Sequence, residues 1–164
     1  MLVYDTFISS FECLHALNMS GSRIQEVPNF IGKLKHLRFL DLSWNGDVKL
    51  LPASITQLQN LQTLQLNNCR RLKELPENTR NLISLRHLAV HECYRLTHIP
   101  DRLGKLTALQ TLTLYTLRKK ESSIPKQKGG LRDLNSLDEL RGELHIKCLE
   151  HLRSSPLEAK AENL

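Results

Sequence analysis

The chain has 164 residues, of which 40% are apolar and 5% aromatic, and 23 Lys and Arg against 17 Asp and Glu give a formal charge of +6. That length holds one domain or part of one. No window approaches the uninterrupted apolar run of a membrane span, and four cysteines are too few for a disulfide scaffold. Much of the basic excess lies between Arg118 and Arg132, with Lys119, Lys120, Lys126 and Lys128 among them. A solvated loop accounts for it better than a nucleic-acid surface does.

Taken in chain order, Met1 to Ser10 contains Asp5 and no basic run leading into a long apolar stretch. It does not read as a signal peptide, so a cytoplasmic location is expected. A grid then begins. Leu14, Leu17 and Met19 are followed 23 residues later by Leu37, Leu40 and Leu42. Steps of 24 bring Leu61, Leu64 and Leu66, then Leu85, Leu88 and Val90, then Leu109, Leu112 and Leu114. A Leu-x-x-Leu-x-Leu pattern with a period in the twenties marks a leucine-rich-repeat solenoid. The expected fold is α/β: a right-handed horseshoe, with short parallel strands on the concave face and 3-10, irregular or short helical segments on the convex face.

Within one repeat, alternation sends Leu64 and Leu66 inward and Thr63, Gln65 and Asn67 outward. The return path repeats as Pro28-x-x-Ile31-x-x-Leu34, then from Pro52, Pro76 and Pro100. Proline ends the extended stretch because it lacks an N–H, and its fixed φ suits the first position of a tight helical turn. Asn45, Cys69 and Cys93 share one slot, three residues after the last strand leucine. An inward Asn can bond neighbouring backbone there, and a thiol serves as a small buried group. Cys13 and Cys148 have no partner that spacing can name.

After Leu114 the grid breaks. Regular repeats occupy 11–117, a basic inserted loop 115–130, and a degenerate repeat 131–152, all within one domain spanning 1–164. In the degenerate repeat Leu131, Leu134, Leu137 and Leu140 suit a helical stripe and Leu144-x-Ile146 a strand. Ser155-Pro156-Leu157-Glu158 combines an N-cap, an N1 proline and a capping-box acid, so a helix is expected to start there and run over 155–164. The ends lack obvious capping repeats, which predicts a piece of a longer solenoid.

Chemistry is sparse. His87, His91, Cys93 and His98 resemble a zinc ligand set, but on a strand the rings of His87 and His91 would be rooted roughly 13 Å apart. No metal site, cofactor site or catalytic set is expected. Gly129-Gly130 lacks the lysine of a phosphate loop, and no Ser sits in a Gly-x-Ser-x-Gly turn. Asp41 and Glu92 read as isolated surface carboxylates, and Asn18-Met19-Ser20 as a chance glycosylation sequon. Binding would use the outward ladders. These run Ala16, Phe39, Thr63, His87, Thr111; then Asn18, Asp41, Gln65, Ala89, Thr113; then Ser20, Ser43, Asn67, His91, Tyr115. With Arg38 and Trp44 they give the predicted protein-binding residues: Arg38, Phe39, Asp41, Ser43, Trp44, Thr63, Gln65, Asn67, His87, His91, Thr111, Thr113 and Tyr115. Aromatics dominate interface hot spots, although Trp44 could equally pack over the turn at Asn45-Gly46.

Laid out this way, the chain resembles the leucine-rich-repeat region of plant intracellular disease-resistance receptors of the coiled-coil nucleotide-binding type. The stretches carrying the resemblance are Leu14 to Pro28, Ile31 to Ser43, and above all Leu140-Arg-Gly-Glu-Leu-His-Ile146 with Leu149-Glu-His-Leu152 and Glu158-Ala-Lys-Ala161. It implies an innate-immunity module that restrains a nucleotide-binding module and helps to recognise a pathogen effector or a guarded host protein. ADP or ATP would belong to that other module, which this sequence lacks. The resemblance also places His15, Arg38, Phe39, Asp41 and Trp44 near the module contact. A monomer is expected in isolation, with no nucleic-acid partner. The alternative is a free-standing intracellular repeat adaptor that scaffolds a signalling complex. A secreted receptor ectodomain is disfavoured, because Leu50, Glu74 and His98 stand two residues before Pro52, Pro76 and Pro100, where those repeats usually carry a Gly-x-Ile-Pro motif.

Overall fold

The computed structural model of the chain describes residue 11 and residues 13–117 and 131–148. The basic segment 118–130 and the expected helix over 155–164 lie outside the described residues. Five short strands stack in chain order into one parallel sheet: β1 (Ala16–Asn18), β2 (Phe39–Asp41), β3 (Thr63–Gln65), β4 (His87–Ala89) and β5 (Thr111–Leu112). Two more strands, β6 (Leu114–Thr116) and β7 (His145–Lys147), form a second parallel pair.

The register is the one that the leucine grid dictates. Leu17, Leu40, Leu64, Leu88 and Leu112 are paired across successive strands, and the last four are buried. Each strand contributes alternate side chains to the interior, and a parallel ladder stacks like on like. Fully burying one leucine is worth roughly 1.5–3 kcal/mol before entropy is counted. No single turn has enough partners to bury its own face, so burial is shared between neighbouring turns.

The return paths are 3-10 segments: Asn29–Lys33, Ala53–Gln57, Glu77–Asn81, Leu103–Lys105 and Leu131–Ser136. In the first three, proline stands one place earlier than the first helical position, as the extended residue before the segment. Its carbonyl accepts the N–H three residues on, from Ile31, Ile55 and Thr79. The buried pairs three apart, Ile31 with Leu34 and Ile55 with Leu58, then face the leucines of the strands. Gly32 lets two return segments touch, since a Cβ there would lie 2.6 Å from the carbonyl oxygen of Ser54.

The inward Asn/Cys slot behaves as the sequence predicts. Asn45 Nδ2 donates to the carbonyls of Met19 and Leu42 at 2.8 Å each, and its Oδ1 accepts from the Ile24 N–H at 3.2 Å. The thiols of Cys69 and Cys93 donate to the carbonyls of Leu42 and Leu66, at 3.3 and 3.1 Å. Each slot residue therefore ties its own turn to the one before. Burial pushes the Cys69 thiol up to about 11 and that of Cys93 to about 12, so both stay protonated as donors.

The fourth return departs from the pattern. Its 3-10 segment opens after Arg102, in the left-handed region at φ 64°, rather than after Pro100. The Asp133 carboxylate of the next turn accepts the backbone N–H groups of Arg102 and Leu103. Gly104 lies against the same residue, and a Cβ on it would come within 2.6 Å of the Asp133 carbonyl oxygen. The degenerate repeat is thus fastened to the regular coil through backbone and a carboxylate as well as through buried Leu137.

Candidate protein-binding face

The first ladder of outward residues exists in the expected register, with Ala16 beside Phe39, then Thr63, His87 and Thr111. Asn18, Asp41, Gln65 and Ala89 form the second. Phe39, Thr63, Gln65, Asn67, His87, Thr111 and Thr113 are half-buried on this face, while Arg38 and His91 are exposed. A hydrogen bond of 3.1 Å joins His87 Nδ1 to Thr111 Oγ1. At the near end, the rings of His15 and His36 stand 6.2 Å apart.

Three predicted contact residues are withdrawn from the surface. Asp41 is buried, and its carboxylate accepts the backbone N–H of Ser43 at 2.8 Å, so it shapes the strand exit rather than standing free. Ser43 itself is buried. Tyr115 is 2% exposed and packs in the core. Burial drives its hydroxyl above the ordinary phenol range, helped by the charges of Asp133 and Asp101.

The reversal of Tyr115 has a visible cause. In the regular turns a strand's carbonyl accepts from the turn before, as Gln65 does from Leu42 at 2.9 Å and Ala89 from Leu66 at 2.7 Å. At Thr113 the side chain takes over this role, its Oγ1 accepting the Val90 N–H at 2.8 Å. The Thr113 carbonyl instead accepts from His145 at 3.2 Å. The strand swings away from β4 at this point and continues as β6, paired with β7. Alternation is broken by this offset, so Tyr115 joins Leu112 and Leu114 in the interior.

At the break, His145 occupies the side of the face that Tyr115 vacates. Its ring lies 6.2 Å from that of His91, and its Nε2 is 3.2 Å from the Glu143 carboxylate. His98, grouped with His87 and His91 by sequence proximity, is instead buried, 2.9 Å from Thr97 Oγ1 and 4.0 Å from the Glu77 carboxylate. Among the described residues no group of three His, Cys, Asp or Glu side chains is placed to hold a metal ion.

Trp44 is 61% exposed, so its indole is not spent on covering the Asn45-Gly46 turn. It also adopts φ 63°, in the left-handed region that bulky residues avoid. The equivalent residues of the neighbouring turns do the same: Gly21 at 63°, Asn68 at 62° and Glu92 at 57°. Glycine and asparagine suit this corner. Tryptophan and glutamate do not, so the coil imposes the bend on Trp44 and Glu92 at some cost in strain. A recess of about 390 Å³ runs from Trp44 past Asn67, Asn68 and His91 to Thr113, Glu143 and His145.

Comparison with known proteins agrees with this architecture. The family model described as a leucine-rich repeat region matches residues 3–164, and the chain belongs to that family. No curated protein matches the sequence. Among solved structures, the chain is similar to a leucine-rich-repeat protein of Leptospira interrogans, LIC12759, at 20% identity and TM-score 0.43, covering 87% of this chain and 46% of that one. It is also similar to a TDR receptor at 19% identity and TM-score 0.50, covering 85% of this chain and 27% of that one. A third is the leucine-rich-repeat domain of the type III effector XopL, at 16% identity and TM-score 0.40, covering 87% and 72%. The chain thus spans less than half the length of the first two. The likeness to the TDR receptor shows the fold alone, and a leucine-rich-repeat region is a protein-interaction scaffold. Among the described residues no helix is long and apolar enough to cross a membrane.

Proposed function

We propose that the chain is the ligand-recognising repeat region of a plant-type intracellular immune receptor, cytoplasmic, holding a nucleotide-binding module at rest and taking part in effector recognition. The observation that carries the reading is the aromatic pair on one early turn: Phe39 on the concave face and Trp44 exposed at the strand exit. Two aromatics on and just after β2, with exposed Arg38 and His15 beside them, form an anchor patch of the type that dominates protein interfaces. The basic segment between Leu117 and Leu131 and the degenerate repeat beyond it support the receptor reading over a free-standing adaptor, because together they match the restrictive part of the family pattern.

The test is co-precipitation with a separately expressed nucleotide-binding module of a receptor of this class. Arg38→Glu reverses an exposed charge without touching the core, and capture is expected to fall at least fivefold. Unchanged capture by Arg38→Glu and by Phe39→Ala would remove the module contact.

A further inference from the structure

We infer that the recess between Trp44 and His145 binds an extended segment of another protein, about five residues long and carrying a basic side chain. Its direction is the first argument. Trp44 leaves the second turn, Asn68 the third, His91 the fourth, and Glu143 and His145 the last. The recess therefore crosses the strands instead of following one. Strands lie about 4.8 Å apart, so three to four steps make roughly 14–19 Å, the reach of about five extended residues at 3.3 Å each. A compact small molecule would fill only part of that length.

The lining supplies the second argument. Asn68 lines the recess and is buried, and its Oδ1, closed to solvent, has no hydrogen-bond partner among the described residues, so a ligand's donor reaches it only as the side chain turns outward. An acceptor in that state costs about 1–3 kcal/mol unless a donor reaches it. The neighbouring Asn67 shows the type of donor that suits, its Oδ1 accepting the backbone N–H of His91 at 2.9 Å. An extended peptide brings a regular series of such N–H groups.

Charge and aromatic character supply the third. In a chain with six more basic than acidic residues, this recess is lined by no Lys or Arg, and its one formal charge is the Glu143 carboxylate. Glu92, 4.0 Å from His91 Nε2, stands next to it. Trp44 offers an open indole face at the other end, suited to an aliphatic stem or a guanidinium plane. Glu143 shares its carboxylate with His145 Nε2 at 3.2 Å, and Lys147 follows on β7, so the opposite sign is confined to the lining itself, where it selects a basic side chain at the Glu143 end.

The inference deepens the proposed binding role and rests on the concave face being a recognition surface, not on the identity of the receptor. Its test uses the full chain and a random acetylated hexapeptide library on beads. Lys and Arg are expected to be enriched at least fivefold among captured sequences. The selected peptide should shift the emission of Trp44, the single tryptophan of the chain. Its uncharged twin, with citrulline in place of Arg or acetyl-lysine in place of Lys, should bind at least fivefold more weakly, and Glu143→Gln should weaken the parent peptide to a similar degree. Trp44→Asn keeps a residue suited to the left-handed corner and should abolish selection. Enrichment of neutral or acidic sequences that still require Trp44 would overturn the basic partner while leaving recognition on this face intact. Capture that is indifferent to both variants, or absent, would overturn the recess as a site. Both substituted residues are solvent-exposed, so far-ultraviolet circular dichroism should match the parent in each case.

Discussion

The five-stranded sheet and the two-stranded one solve the same stacking problem by different means. In β1 to β5, leucines in identical register vanish into one core, and the Asn45, Cys69 and Cys93 slot stitches turn to turn. In β6 the grid residue Leu114 is still buried, but beyond it the leucines no longer fall on the grid. Leu137 is buried, but Leu131, Leu134, Leu140 and Leu144 are only half-buried, and Ile146 on β7 is 37% exposed. Directional devices supplement them: the Thr113 hydroxyl, the Asp133 carboxylate and the close approach at Gly104. Where the apolar repeat is strict the coil is held by burial, and where it lapses a few directional contacts add to a thinner core. The lapse also produces the offset at which the candidate recess lies.

The sharpest way to break the contrast is to put a charge on a strand of each sheet. Leu64→Asp places an unpaired carboxylate in the centre of the regular coil and should abolish its cooperative melting transition. Ile146→Asp should cost under about 1 kcal/mol, as exposed positions do. Equal loss of melting temperature in the two variants would erase the distinction.

Asn45→Ala comes next. It strands the Ile24 N–H and leaves the carbonyls of Met19 and Leu42 only the longer bonds from the Ser22 N–H at 3.4 Å and the Cys69 thiol at 3.3 Å, and should cost about 1–3 kcal/mol by denaturant titration. Cys69→Ala loses one thiol bond and should cost about 1–2 kcal/mol. Gly104→Ala should cost about 1–3 kcal/mol through overlap with the Asp133 backbone. Hydrogen exchange should show that loss confined to residues 131–148, with β1 to β4 still protected.

Thiol chemistry offers a finer comparison. At pH 8 Cys13 and Cys148, exposed and half-buried, should react with a disulfide reagent ahead of the buried Cys69 and Cys93. Because burial raises both inner thiols above the ordinary 9.0, the unfolded chain loses these protons first. Their contribution is therefore intact below about pH 9 and is lost as pH rises through about 11 to 12. A melting temperature that climbed over this window would contradict their burial. The smallest effect is expected at the corner, where Trp44→Asn should leave stability unchanged or raise it by up to about 1 kcal/mol as strain is released.

The leucine register, the inward Asn/Cys slot and the first ladder were legible because each depends on residues one turn apart, and a fixed period maps directly onto stacked neighbours. The strand exits were harder. Asp41 and Ser43 alternate correctly with Leu40 and Leu42, yet the chain bends just beyond them, and the Asp41 carboxylate folds back on the Ser43 N–H. Tyr115 was misplaced because its direction is set by which atom of Thr113 caps Val90, a choice that no spacing records. The approach of His145 to His91 was invisible for the same reason: the two are 54 residues apart and meet only because β7 pairs with the displaced β6. A faint signal existed in Leu140-Arg-Gly-Glu-Leu-His-Ile146, whose strand reading put His145 within reach of the last turn.

The repeated left-handed corner at Gly21, Trp44, Asn68 and Glu92 shows that the coil itself imposes this bend, whatever side chain occupies it. Four chemically unlike residues already tolerate it. Such a position can change its presented group over evolutionary time while the leucine spine stays untouched, so a lineage of these coils could diversify its targets corner by corner at nearly constant stability.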